Sequence, residues 1–114
     1  MNRIFTLPFH IPGALSANIN IRFKLPVDAQ LIHVSAAQSD TDTAVLDIGP
    51  STDTDGYLDG VNFGVSNVPL EYDRDDFVGD QYPHITKGTI IVITITDHAS
   101  HSNDPTVVLT FTEG

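Results

Sequence analysis

The chain has 114 residues, with 15 carboxylates against five Lys and Arg, a formal charge of −10 at pH 7 and a pI near 4.4. That balance excludes a nucleic-acid protein, whose affinity comes from Lys and Arg displacing counterions from phosphates. Cysteine is absent, which excludes disulfides, thiolate chemistry and thiol-ligated zinc.

The length fits a single domain over residues 1–114 that can bury a core without a covalent or metal staple. The N-terminal apolar run is cut by Pro8 and Pro12 before it reaches the length of a secretory signal. The longest strongly apolar run, Ile90 to Ile95, is far short of the roughly 20 residues of a membrane helix.

In chain order, the first expected strand is Ile4 to Phe9. The segment 1–15 reads either as an extended N-terminal arm packing on a partner or as an edge strand of its own sheet. Asn18 to Leu25 follows, where Ile19, Ile21, Phe23 and Leu25 alternate with Asn18, Asn20, Arg22 and Lys24, the period of a strand with one wet face. Gln30 to Ala36, Thr43 to Ile48, Val61 to Val65 and Tyr82 to Thr86 are further strands bounded by Gly, Pro, Asn and Asp. Lys87-Gly88 suits a tight turn. In Thr89 to Thr96, Ile91, Ile93 and Ile95 share one face, while Ile90 and Val92 make the other apolar, as in a central strand. After a polar loop from Asp97 to Pro105, Thr106 to Thr112 alternates again, with Val107, Leu109 and Phe111 inward.

The acidic middle breaks this pattern. Eleven of the 15 carboxylates lie between Asp40 and Asp80, with Arg74 as the one cation there, so the flanking segments are neutral in sum. Gly49 to Gly60 and Ser66 to Asp80 read as long loops, with a short helix after Pro69 as one option, capped by Ser66 or Asn67. About eight short strands with long acidic loops point to an all-β fold, an antiparallel β-sandwich of Greek-key or jelly-roll topology, with a closed small barrel as the alternative.

Four clusters invite a chemical reading. Asp53, Asp55 and Asp59 around Gly56 resemble a calcium loop, but Ser51 stands where an EF-hand begins with Asp, and Asn62 where it closes with Glu. A solvated acidic loop with Asx turns is the preferred reading. Glu71, Asp73, Asp75 and Asp76 supply paired acids, but sequence clustering does not set the separation that glycoside hydrolysis needs. His98, His101 and Asp104 form a candidate metal set at a spacing suited to a helix, which Pro105 and the flanking strands disfavour. Tyr57, Tyr72 and Tyr82 beside carboxylates suit either a sugar platform or pins that hold the loops down. No nucleophile elbow or phosphate-cradling glycine loop is present. No catalytic, cofactor-binding or metal residue is therefore assigned, and the chain reads as non-enzymatic.

Phe23-Lys-Leu-Pro-Val-Asp-Ala-Gln-Leu-Ile-His-Val34, Ala44-Val-Leu-Asp-Ile-Gly49, Asp53-Thr-Asp-Gly-Tyr-Leu58, Lys87-Gly-Thr-Ile90 and Val107 to Gly114 follow one another in an order that resembles small β-sandwich virion proteins of tailed bacteriophages. These include capsid decoration, or auxiliary capsid, proteins. The resemblance implies a capsid decoration (cement) protein, made in the host cytoplasm and seated on the outer surface of the capsid. Its partners would be the major capsid protein and its own copies, a homo-oligomer with a trimer favoured. A lectin-like carbohydrate-binding module and a tail or head-fibre component are the alternatives. No cofactor, membrane or nucleic-acid partner is implied.

Overall fold

The computed structural model describes residues 3–13, 17–40, 44–96 and 103–114. Nine strands are formed among them: β1 (Ile4–His10), β2 (Ile19–Lys24), β3 (Ala29–Ala37), β4 (Val45–Pro50), β5 (Leu58–Asn62), β6 (Leu70–Tyr72), β7 (His84–Ile85), β8 (Ile90–Thr96) and β9 (Thr106–Glu113). Two sheets stack. One has the order β1-β9-β3-β6, with β7 also on β3, and the other β2-β8-β4-β5. Neighbouring strands pair antiparallel throughout.

The late strands enter between early ones: β8 lies between β2 and β4, and β9 between β1 and β3. The chain thus crosses from sheet to sheet in the double Greek key of a jelly roll. Strands β6 and β7 together form the outermost position of the first sheet, each pairing with its own stretch of β3. The closed barrel does not form, because each sheet ends in free edges: β1 and β6/β7 in one, β2 and β5 in the other.

Alternation in sequence becomes alternation in burial. In β9, Val107, Leu109 and Phe111 are fully buried while the residues between them are only partly covered. Strand β8 is central in its sheet, as its two apolar faces require, and Val92 on the face away from the core is only 1% exposed. Strand β3 breaks the period: Leu31 and Val34 are both buried three positions apart, because Ile32 bulges out of register with β9.

The acidic middle is more ordered than long loops. Gly49 and Pro50 extend β4 and Leu58 opens β5, which trims the expected loop to residues 51–57. The strand expected at Val61 to Val65 is therefore displaced to Leu58–Asn62. Leu70–Tyr72 forms β6, a segment too brief for any periodicity to register. The helical option after Pro69 is realised as two 3-10 turns, Arg74–Asp76 and Val78–Asp80, with Asp73 as cap in place of Ser66 or Asn67. Both of those residues instead take positive φ, 54° and 65°. The Lys87-Gly88 turn forms around Gly88 at φ 84° and carries the chain from β7 to β8, across the sheets.

Strand β1 lies along the whole of β9, from Ile4 opposite Thr112 to His10 opposite Thr106. The N-terminal segment thus sits in its own sandwich from Ile4 to His10, while residues 1–2 and 14–16 lie outside the described residues. Phe5 stacks on Phe111 with ring centroids 5.3 Å apart, and Phe9 meets Phe23 of β2 at 5.0 Å.

Candidate functional site

Because β1 and β2 end their sheets on one side and β6 and β5 on the other, the sandwich has two edges of opposite character. Phe9 against Phe23 marks the first edge. The Tyr72 hydroxyl, which donates to the Asn62 carbonyl, ties β6 to β5 at the second.

The second edge gathers the acidic segment. At the β4–β5 hairpin, Asp59 and Gly60 stand together opposite Asp47, and the Asp47 carboxylate accepts the Gly60 N–H at 2.7 Å. Partial burial pushes the Asp47 carboxyl above the usual carboxylate range against the pull of that bond, helped by the negative charges of Asp59 and Asp55. Asp53 is also raised, first by its side-chain hydrogen bond with Asp55 and then by desolvation and the charges of Asp55 and Asp59. These acids repel one another, and among the described residues no group of three or more His, Asp or Glu is arranged to hold a metal ion.

Gly49 and Gly64 allow this edge to pack. A Cβ on Gly49 would lie 2.1 Å from the Asp53 carbonyl oxygen, and one on Gly64 would lie 1.9 Å from that of Val68. The Gly64 backbone bonds across to Ala36 and Gln38, closing the β5–β6 connection onto the end of β3.

The second acid cluster is occupied with its own turn. The Asp73 carboxylate accepts the Asp75 N–H at 3.3 Å, and the Asp76 carboxylate accepts the Asp73 N–H at 3.0 Å, a reciprocal cap that uses the carboxylates as backbone acceptors. Glu71 faces His33 across the β3–β6 pair, with Oε1 3.3 Å from Nε2. Arg74 lies 3.8 Å from Asp75, both exposed. Tyr57 and Tyr72 pack against the core and are only partly buried, and Tyr82 meets the buried Phe77 edge-on at 6.5 Å. Desolvation raises both the Tyr57 and Tyr72 hydroxyls above the usual phenol range.

His98 and His101 lie outside the described residues. Their supposed partner Asp104 is a latch: its carboxylate accepts the Gly13 N–H at 2.6 Å and the Ser39 hydroxyl at 3.2 Å, while its own N–H donates to the Gly13 carbonyl at 2.9 Å. These bonds, led by the one from Gly13, hold the Asp104 carboxyl below the usual range. Asn103 adds a bond from Nδ2 to Asp40 at 3.1 Å. Three connections, β1–β2, β3–β4 and β8–β9, are thereby joined at one end of the sandwich, a role that histidine spacing had obscured.

The first edge is different in kind. From Arg3 to Val27 the chain has no carboxylate, and Arg3, Arg22 and Lys24 are all exposed. The inward residues Phe5, Leu7, Phe9, Ile19, Ile21 and Phe23 pack on the core but stay only partly buried. A groove of about 380 Å³ opens there, with Phe5, Leu7 and Val27 in its walls, the 69% exposed Ile4 among its lining residues, and both Arg3 and Glu113 bordering it.

No protein-family model matches the sequence, and no curated protein does. Among solved structures, the chain is similar to a chain of the cyanophage Pam1 capsid asymmetric unit, at 17% identity and a TM-score of 0.62. The similarity covers 99% of this chain and 85% of that one. At that identity the shared property is the fold, from the first strand to the last.

Proposed function

We propose that the protein is a structural, non-enzymatic component of a bacteriophage capsid: a decoration or cement protein on the outer surface of the shell, in contact with the major capsid protein and with its own copies, a trimer favoured. The observation that carries this reading is the fold similarity to a chain of a capsid asymmetric unit over 99% of the sequence. The chemistry of the surface agrees. The Glu71–Asp76 carboxylates act as backbone acceptors and as the partner of His33, which is the work of a scaffold. An acidic edge is repelled by packaged DNA and tolerated on an outer face. A protein that binds the assembled shell and not its separated subunits stabilises the shell by mass action.

A lectin-like module would need a platform of free aromatic faces, and of the three candidate tyrosines Tyr57 and Tyr72 pack partly buried against the core, leaving Tyr82 alone exposed. The test is cryo-electron microscopy of particles from the source. Density for this jelly roll at lattice positions outside the shell is the expected result. Density confined to the tail or a fibre would move the protein there, and its absence from purified particles would refute the capsid reading.

A further inference from the structure

We propose that the β1/β2 edge of one copy docks on the β5/β6 edge of a second copy, head to tail. This deepens the self-association part of the proposed function and does not depend on where in a particle the protein sits.

Charge is the first argument. The β1/β2 edge carries Arg3, Arg22 and Lys24 with no carboxylate between residues 3 and 27, and among the described residues the one acid beside it is Glu113 of β9, bonded through its N–H to the Arg3 carbonyl. The β5/β6 edge carries Asp59 and Glu71, with Asp53 and Asp55 on the turn before β5 and Asp73, Asp75 and Asp76 against the single cation Arg74 in the 3-10 turn after β6. Two copies meeting through like edges would oppose like charges, whereas unlike edges are complementary. A heterologous contact of this kind closes into a ring when its rotation allows.

Backbone geometry is the second. Each sheet has an even number of strand positions in antiparallel alternation, so the strands at its two edges run in opposite directions. A neighbour set beside the first edge in the same orientation therefore brings its β5 against β2 and its β6 against β1 in the antiparallel sense. Both sheets continue, and edge strands that would otherwise pair at random are matched, although the Asn62 carbonyl at the end of β5 is already taken by the Tyr72 hydroxyl.

Apolar surface is the third. Of the large hydrophobic side chains exposed among the described residues, Ile4 lies on the first edge, and Val68, Leu70, Val78 and Tyr82 lie on the second, between 41% and 69% exposed. Across the sheet Leu70 is level with Phe9, and the groove beside Ile4 is level with His84 of β7.

The test is sedimentation of the full chain at low and high salt, with three variants. Association that weakens as salt rises is expected, since exposed charges are screened. Arg22→Glu with Lys24→Glu should weaken it at least tenfold, and so should Asp59→Lys with Asp75→Lys. Mixing those two proteins should restore association, and combining all four substitutions in one chain should restore it in that chain. Recovery in the fourfold variant also shows that the substitutions leave the fold intact. A chain that stays monomeric throughout, or an assembly that neither pair of substitutions weakens, overturns the proposal. So does a variant at Arg22 and Lys24 that sediments like the wild type but no longer binds capsids, which would assign that edge to the shell. Absence of the protein from virions would refute the capsid reading and leave this result untouched.

Discussion

Phe111 and Phe5 form one aromatic stack across β9 and β1, yet their surroundings predict different costs of removal. Phe111 is 0% exposed and lies opposite both Leu31 and Phe5 in the pairing of its sheet. Phe111→Ala removes a fully buried ring and leaves a cavity walled on every side, which costs about 3–5 kcal/mol. Phe5 touches the same ring from an edge strand and borders the open groove. Phe5→Ala loses the ring pair and part of the burial, but its site opens toward water and leaves no sealed cavity, so about 1.5–2.5 kcal/mol is expected. With a urea slope of about 2 kcal/mol/M for a domain of this length, the midpoints should fall by about 2 M and about 1 M. Tryptophan is absent, so far-UV circular dichroism is the suitable signal, at a protein concentration low enough to keep the chain monomeric. Equal losses for the two variants would refute the reasoning, because they would mean that the β1/β2 edge is as closed as the core.

At Gly64, where an added Cβ would meet the Val68 carbonyl at 1.9 Å, Gly64→Ala should lower the melting temperature sharply. Gly60→Ala meets open space but holds φ at +61°, so its loss should be confined to the roughly 1–2 kcal/mol of left-handed backbone strain. Asp47 has a raised folded carboxyl, so it penalises the fold above that value and the penalty disappears as acid protonates it. Asp47→Asn keeps an acceptor for Gly60 and should raise the melting temperature at pH 7, with the gain shrinking as pH falls toward 4. Asp104 has the opposite sign: its stabilisation is full above the ordinary carboxylate value and is lost as pH falls through the lowered folded one. Asp104→Ala should therefore destabilise strongly at pH 7, and the gap to the wild type should narrow only at the acid end of a melting series.

The strands that bury one face were legible because burial imposes a period. Ile19 to Phe23 and Val107 to Phe111 alternate in sequence and in the fold, while the continuous apolar run Ile91 to Ile93 marks the central strand β8, buried on both faces. Strand β3 was legible as a strand but not in its register, since a bulge at Ile32 comes from pairing with β9, a partner some 80 residues away. Strand β6 was invisible because three residues carry no period, and its pairing with β3 rests on Gly64 letting two backbones approach. The calcium-like spacing at Asp53, Asp55 and Asp59 was legible only as spacing: whether carboxylates converge or merely crowd is decided by the hairpin that holds them. Asp104 carried no signal of its own in the sequence beyond standing near two histidines, and its part as a latch was not legible because its partners Gly13 and Ser39 come from connections distant in sequence.

The charge block of the sequence gains its meaning from topology. In a simple meander, consecutive strands are neighbours, and an acidic middle would fall in the centre of a sheet. The jelly roll instead threads β8 and β9 between the early strands, which drives β1 and β2 to one margin and β5 and β6 to the other. A division along the chain, with no carboxylate between residues 3 and 27 and eleven between Asp40 and Asp80, thereby becomes a division across the width of the molecule. In the proposed docking, that division sets unlike charges together in one orientation of two copies and like charges together in the reversed one, so charge selects the orientation in which the edges meet.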